Sequence, residues 1–172
     1  MDEPRPHSSQ SGRRTGFRAD GGARTGHRAS CSGPRTAATR LATDGRGLPV
    51  SAEPVAGGQY DFATPRRLEG VELDDCFTGL GLPGNSLGVP AEAEWAAALV
   101  TAAGTGAAVW GGAGWRYLQC FTADTLPGPD RRRAVALEPM TCPPNALRSG
   151  DSLMVLRPGR TWRGRFGIMP LG

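Results

Sequence analysis

The 172-residue sequence has no lysine, only two histidines and no long apolar run. Its twenty cationic side chains are all arginines, which indicates a gene of high GC content. Since a membrane-spanning helix needs about 18 or more consecutive apolar residues, we expect no membrane span. The first ten residues also lack the apolar centre that a secretory signal requires. These absences together predict a cytoplasmic protein.

Cysteine is scarce as well, with four thiols at Cys31, Cys76, Cys120 and Cys142. No two of them form a Cys-x-x-Cys pair, and no histidine lies close enough in sequence to complete a zinc site. The sequence therefore predicts no metal centre, and no other cofactor is expected. In a reducing compartment the thiols should stay reduced, and Cys76 and Cys120 are expected to be small buried side chains.

Two glycine-rich patterns overlap in one short stretch. Residues 79–84, GLGLPG, match the GxGxxG fingerprint, but Pro83 and the residues after it forbid the helix that a dinucleotide site requires. Residues 84–88 match the GxSxG pattern of serine hydrolases, in which the catalytic histidine follows the serine. Both histidines of this chain precede it. A surface loop is the better interpretation of both patterns.

The N-terminal segment, residues 1–35, is rich in Arg, Gly and Ser and has almost no large apolar residue except Phe17. Such a composition cannot offset the entropy of ordering, so we predict that this segment is disordered. Nine of the arginines precede Leu48, against four acidic residues. A basic arm over residues 5–46 suggests a nucleic-acid binder, but aromatic stacking partners are lacking, and nucleic acid is not an expected partner.

From Thr36 onward, short apolar segments alternate with Gly, Pro and Asp at intervals of about ten residues, which is typical of an all-β sandwich. Residues 36–172 are therefore predicted to form one domain. Alternation in the last predicted strand places three side chains on one face: Trp162, Phe166 and Ile168. Another short strand is predicted over residues 133–138, ending at Pro139.

Further strands are predicted in the middle of this domain. Residues 94–103 and 107–111 form a predicted hairpin, although the alanine-rich stretch 91–103 also has the propensity of a helix. Alternation over residues 116–121 places Tyr117, Gln119 and Phe121 on one face and Leu118 and Cys120 on the other. Side chains suited to burial on both faces indicate an interior strand. The run Arg131–Arg133 is interpreted as a solvated turn, with a phosphate or nucleic-acid contact as the alternative.

Five segments, in order, resemble aldose 1-epimerases: RLATDGRGLPV (40–50), VAGGQYDFATPRRL (55–68), ELDDCFT (72–78), WRYLQCFTADTLP (115–127) and AVALEPMTCPPNALRSG (134–150). The resemblance covers residues 36–168 and corresponds to the C-terminal half of the family's domain. It implies a galactose mutarotase-like twisted β-sandwich that binds a hexose in a groove on one sheet. The implied reaction interconverts the α and β anomers of an aldose by acid/base opening of the ring.

The resemblance also implies the site residues. The family's base is a glutamate near the C-terminus, which corresponds to Glu138. The local sequence is consistent with this role, because an apolar run that ends in a carboxylate suits a base. Without the resemblance, the plainer interpretation of Glu138 is a charged residue at an exposed strand edge. The aspartate that holds sugar hydroxyls corresponds to Asp74, with Asp75 as the second choice. Gln119 is a second predicted sugar contact, whereas Asn145 is expected to order its own loop.

The family's acid is a histidine upstream of these segments, and neither His7 nor His27 has its sequence context. We expect a base without its acid partner, and hypothesise that residues 1–35 are an out-of-frame translation preceding a truncated domain. The alternative is a genuine short relative whose arm replaces the catalytic half. A non-catalytic carbohydrate-binding module that keeps Asp74 and Gln119 is the second function that the sequence allows.

Overall fold

The computed structural model describes residues 16–18, 30–32, 37–82 and 87–172. Their strands are, in chain order, β1 (Gly16–Arg18), β2 (Ser30–Ser32), β3 (Thr39–Thr43), β4 (Pro49–Pro54), β5 (Arg66–Arg67), β6 (Asp74–Thr78), β7 (Trp95–Val100), β8 (Gly106–Gly111), β9 (Tyr117–Phe121), β10 (Ala134–Met140) and β11 (Phe166–Leu171). Helical turns within these ranges are confined to a 3₁₀ segment, Gly128–Asp130, and a four-residue helix α1, Ala146–Ser149.

The strands form two antiparallel sheets. The first has six strands in the order β1-β10-β9-β6-β3-β4, and the second has five in the order β11-β8-β7-β2-β5. The predicted all-β sandwich is therefore confirmed. The interior strand predicted over 116–121 is also confirmed, since β9 lies between β10 and β6.

The main core lies between the two sheets. The first sheet contributes Phe77, Leu118, Cys120, Val135 and Leu137, and the second contributes Trp95, Ala97 and Val109. Complete burial of a side chain such as Leu118 stabilises the fold by about 1.5–3 kcal/mol. Because side chains alternate along a strand, the residues between these core positions point to the opposite, outer face of the first sheet.

The hairpin of β7 and β8 is confirmed, and the helical alternative for the alanine-rich stretch is wrong. Thr101 N–H donates to the carbonyl oxygen of Thr105 (2.7 Å), and Gly104 takes the positive φ of 83° that the turn requires. Small alanines let this strand be buried on both faces: Ala97 packs in the main core, while Ala96 packs with Trp110 on the other side. These long-range contacts override local helix propensity.

Two predicted strand boundaries are wrong. The last strand begins at Phe166, so Trp162 lies in the preceding loop, where its ring packs edge-on against Trp115 with 5.7 Å between centroids. Pro139 lies inside β10 instead of ending it and is opposite Leu118 on β9. The other side of β10 pairs with β1 only over Ala134–Ala136, so Pro139 lies where a missing N–H is tolerated.

Within residues 1–35, the segment predicted to be disordered, the backbones of β1 and β2 pair with β10 and β7. Pairing to a neighbouring strand supplies partners for the backbone N–H and C=O groups of these short segments, although their composition does not predict a strand. The rest of that prediction lies outside the described residues. So do Gly84 and Ser86 of the two glycine-rich patterns; residues 87–94, which follow them, contain no helix.

The turn at Arg131–Arg133 does more than carry solvated charge. Arg132, at a positive φ of 55°, donates to the carbonyl oxygens of Leu68 (2.6 Å) and Val71 (3.1 Å). It also forms an ion pair with Asp124, at 2.5 Å. Arg132 therefore ties the connection between β9 and β10 to a turn about 60 residues earlier.

The two cysteines expected in the interior are buried, with Cys76 1% and Cys120 8% exposed. Burial raises the pKa of the Cys76 thiol to about 12, and the charges of Asp75 and Cys142 add to the effect. Cys76 is therefore a neutral thiol at physiological pH.

Candidate functional site

A row of polar side chains crosses the outer face of the six-stranded sheet. Glu138 on β10 lies directly opposite Gln119 on β9, and Gln119 lies directly opposite Cys76 on β6. Their neighbours Leu137 and Leu118 point into the core, so all three side chains share the outer face. Directly opposite residues have Cβ atoms about 4.5–5.5 Å apart. Glu138 and Gln119 are therefore side-chain neighbours.

Asp74 joins this row through a hydrogen bond. The Gln119 amide nitrogen Nε2 donates to Asp74 Oδ1 at 2.9 Å. Asp74 is exposed and shares its face with Cys76, two residues along β6. The three residues predicted from the sequence as site residues, Glu138, Asp74 and Gln119, thus lie together on one face, with the amide between two carboxylates.

Asp75, the second choice for the sugar-binding aspartate, points to the other side of the sheet. Its side chain is buried, and Arg40 Nε donates to its Oδ1 at 2.7 Å. The Arg40 guanidinium also lies over the Tyr60 ring, 4.4 Å from its centroid. Partial burial lowers the pKa of Arg40, but the hydrogen bond and charge of Asp75 outweigh this effect and raise it. Asp75 is thus engaged in the fold, and Asp74 is the exposed aspartate of the two.

Glu138 is partly buried, and Ala136 and Met140 flank it on the same face of its strand. Within the described ranges its carboxylate has no hydrogen-bond or ion-pair partner. The amide oxygen Oε1 of the neighbouring Gln119 is also buried without a donor among those residues. Glu138 therefore presents a carboxylate that has no partner among the described residues, next to an amide oxygen that also has none.

The segment after β10 folds back towards the same face. Ser152 has a positive backbone φ of 49°, and its hydroxyl lies 2.8 Å from the hydroxyl of Tyr117. Tyr117 lies on β9, on the same face as Gln119. Asn145 orders this segment locally, because its carbonyl oxygen accepts from the N–H groups of Arg148 and Ser149, each at 3.0 Å. Sequence reasoning did not single out Tyr117 and Ser152. Strand alternation places Tyr117 beside Gln119, but nothing local predicts the contact with Ser152, 35 residues away.

The chemistry of this face is that of oxygen acceptors. Two carboxylates and one amide can accept from, or orient, the hydroxyl groups of a small polyol. His7 and His27 lie outside the described ranges, so the described part of the face includes no histidine. Those ranges contain no group of three or more His, Cys, Asp or Glu side chains that could hold a metal ion. They also contain no helix long and apolar enough to cross a membrane.

Two antiparallel sheets around one core, with a polar outer face on the larger sheet, define an all-β sandwich. Among solved structures the chain is similar to a protein of Escherichia coli K12 titled "Putative aldose 1-epimerase". The TM-score is 0.59 at 15% sequence identity, over 92% of this chain and 47% of that one. This chain thus has the aldose 1-epimerase-like fold and spans about half the length of that neighbour.

Sequence comparison adds no closer assignment. No family model matches the chain, and no curated protein matches it. The similarity to the solved structure therefore concerns the fold, as expected at 15% identity.

Proposed function

We propose that the chain is an aldose 1-epimerase family protein that binds an aldose sugar on the outer face of its six-stranded sheet. The observation that supports this most is the grouping of Glu138, Gln119 and Asp74 on one face of an aldose 1-epimerase-like fold. The strands that carry them are separated in sequence, so this grouping is a property of the folded sheet.

In the proposed reaction Glu138 is the general base. Its carboxylate removes the proton of the anomeric hydroxyl, the bond between C1 and the ring oxygen breaks, and a carbonyl forms at C1. The ring oxygen gains a proton from an acid, and the ring recloses on the other face of C1. Asp74 accepts hydrogen bonds from two sugar hydroxyls and so fixes the ring relative to the base. Gln119 orients Asp74 through its amide N–H.

The proton for the ring oxygen needs a second group. The family resemblance assigns this role to a histidine, and the described part of the chain has none. A positioned base alone accelerates proton transfer by about 10²–10⁴-fold. We therefore propose that turnover by this chain is slow and depends mainly on Glu138.

The test is the change of optical rotation after freshly dissolved α-glucose is mixed with the purified protein. We expect acceleration that Glu138→Gln abolishes and that Glu69→Gln preserves. Glu69 is exposed and forms no side-chain hydrogen bond or ion pair with the described residues, so it is a matched control for the same chemical change. Equal rates for the two variants would refute Glu138 as the base.

A non-catalytic carbohydrate-binding module is the second candidate. The bond between Gln119 and Asp74 favours it, because this pair can hold sugar hydroxyls without any proton transfer. It predicts saturable binding of an aldose without rate enhancement, weakened by Asp74→Asn and unchanged by Glu138→Gln. Isothermal titration calorimetry with the two variants measures the binding, and the optical-rotation assay separates this function from the catalytic one, because only the catalytic function accelerates mutarotation.

A further inference from the structure

In the side-chain amide of Gln119, the nitrogen has a hydrogen-bond partner and the oxygen has none among the described residues. Its nitrogen donates to Asp74 at 2.9 Å, while its oxygen is buried and has no donor among the described residues. A buried acceptor without a partner costs free energy, so it is expected to have a donor in some working state of the molecule.

Asp74 fixes the orientation of this amide. An ionised carboxylate can only accept hydrogen bonds, so the NH₂ group of Gln119 must face Asp74, and the opposite orientation would set two oxygens against each other. The amide oxygen consequently points away from Asp74. Glu138 is the residue directly opposite Gln119 on the other neighbouring strand, β10.

An ionised Glu138 cannot donate to the Gln119 oxygen, but a protonated Glu138 can. We propose that Gln119 is a positioning residue that accepts a hydrogen bond from Glu138 once Glu138 has taken up the proton. This inference rests on the proposed function of Glu138 as the base. The anomeric O–H bond breaks, an O–H bond forms on Glu138, and that hydroxyl donates to Gln119 Oε1. On ring closure the same proton returns to the anomeric oxygen, while the ring oxygen returns its own proton to the separate acid that supplied it on opening.

Other groups also face Glu138 and could affect its protonation. Asp74 and Cys76 share the outer face from β6 and Tyr117 shares it from β9, and Cys142 follows on the segment after β10. Cys76 stays neutral, since burial raises its pKa to about 12. Asp74 is a second carboxylate on the same face and is hydrogen-bonded to the same amide. The experiment must therefore separate the Gln119 hydrogen bond from the charge of Asp74.

The test is an NMR titration of the Glu138 side-chain ¹³Cδ resonance, assigned with Glu138→Gln. Gln119→Met keeps the side-chain length and removes the acceptor, so the Glu138 midpoint should fall by about 0.5–1 pH unit, the equivalent of one net hydrogen bond. The same fall should occur when Gln119→Met is added to Asp74→Asn. Gln59→Met, at an exposed glutamine, should leave the midpoint unchanged.

An unmoved midpoint in folded Gln119→Met, or a fall that disappears in the Asp74→Asn background, would overturn the proposal. If circular dichroism shows that Gln119→Met does not fold, Gln119→Glu keeps the volume and places a second carboxyl beside Glu138. The Glu138 midpoint should then rise, because neighbouring carboxylates disfavour each other's ionisation. No change in Gln119→Glu would contradict the predicted proximity.

Kinetics supply an independent readout. For a positioning role, Gln119→Met should lower kcat about 10-fold while KM changes less than about 2-fold, since only the state with a protonated base is affected. A raised KM at constant kcat would make Gln119 a direct sugar contact and overturn the proposal. If the wild-type chain does not accelerate mutarotation, the proposed function fails, but the titration still decides whether Gln119 accepts from Glu138.

Discussion

Arg40 on β3 and Asp75 on β6 form an ion pair at the margin of the core, with 2.7 Å between Nε and Oδ1. Asp75 is 5% exposed, so its charge depends on this partner for compensation. The pair explains why two consecutive aspartates have different roles. One is engaged within the fold, and the other is presented on the outer face.

Removal of the cation should therefore destabilise the protein. We expect Arg40→Met to lower the free energy of unfolding by about 3 kcal/mol, because it leaves a buried carboxylate unpaired. Arg46→Met is the control, since Arg46 pairs with Asp44 but is 76% exposed, and such surface pairs contribute about 0–1 kcal/mol. Urea unfolding measures both values, and equal losses would contradict a structural role for the pair.

Gly111 should not tolerate a side chain. A Cβ atom there would lie 2.5 Å from the Trp95 indole, which is almost fully buried. We expect Gly111→Ala to cost about 1–3 kcal/mol through overpacking. Gly45→Ala makes the same change at a turn where no atom lies within 4 Å, and it should be nearly neutral. Thermal melts of the two variants check this difference.

Acid should weaken the fold partly through Asp124. Partial burial raises the pKa of this carboxyl, but hydrogen bonds from Thr122 and Arg132 outweigh that and lower it below the ordinary value. A group with a depressed folded-state pKa stabilises the fold above its unfolded pKa of about 4, and this stabilisation is lost as pH falls through the folded pKa.

Asp124→Asn should accordingly lower the free energy of unfolding at pH 7 and make progressively less difference below about pH 4. Denaturant melts across this pH range give the comparison. Asp130→Asn, at an exposed aspartate, is the control for loss of a surface charge. A deficit in Asp124→Asn that stayed constant down to pH 2 would show that the effect is not linked to ionisation.

Alkylation should distinguish the cysteines. At pH 8 a thiol with a pKa of about 12 is ionised in only ~10⁻⁴ of molecules, so the buried Cys76 should react very slowly with iodoacetamide. Cys142 is only partly buried and should be labelled much faster. Mass spectrometry of native protein measures this order, and faster labelling of Cys76 would contradict its buried position. Cys142→Ser should remove the label from the peptide that contains residue 142.

Asp74 should dominate sugar affinity. Replacing its charged acceptor by an amide in Asp74→Asn should weaken aldose binding about 10-fold, the loss expected for one hydrogen bond to a charged group. Gln59→Glu, which changes charge at an exposed position outside the site, should not alter binding. Calorimetric titration gives both constants. Unchanged affinity in Asp74→Asn would remove this residue from the proposed site.

The sequence predicts the features that depend on local pattern. Alternation identifies β9, and Gly104 identifies the turn of the β7–β8 hairpin. The helical alternative at 91–103 fails because helix propensity is local, whereas the fit of Ala96 and Ala97 between two packed layers is not. The prediction that Trp162 belongs to the last strand is wrong for the same reason, because its packing on Trp115 is a tertiary contact that local alternation does not reveal.

The site depends still more on pairing across strands. Alternation alone says that Asp74 and Asp75 face opposite sides, but only the register of β6 against β9 assigns the outer face to Asp74. The contacts of Arg132 with Leu68 and Val71 have no sequence signal, because they join positions more than 60 residues apart. Glu138, by contrast, can be proposed as a site residue from its own segment, although its cross-strand neighbours cannot be predicted from that segment.

The hydrogen bond between Gln119 and Asp74 joins residues 45 positions apart, and Glu138 comes from a third strand. No contiguous peptide carries this constellation, so recognition of a ligand there is thermodynamically linked to folding of the whole sheet. A ligand bound only by the native state raises the free energy of unfolding by RT ln(1 + [L]/Kd), about 2.7 kcal/mol at a hundredfold excess over Kd. A rise in melting temperature with added aldose would therefore report occupancy of this face even in a chain that turns nothing over.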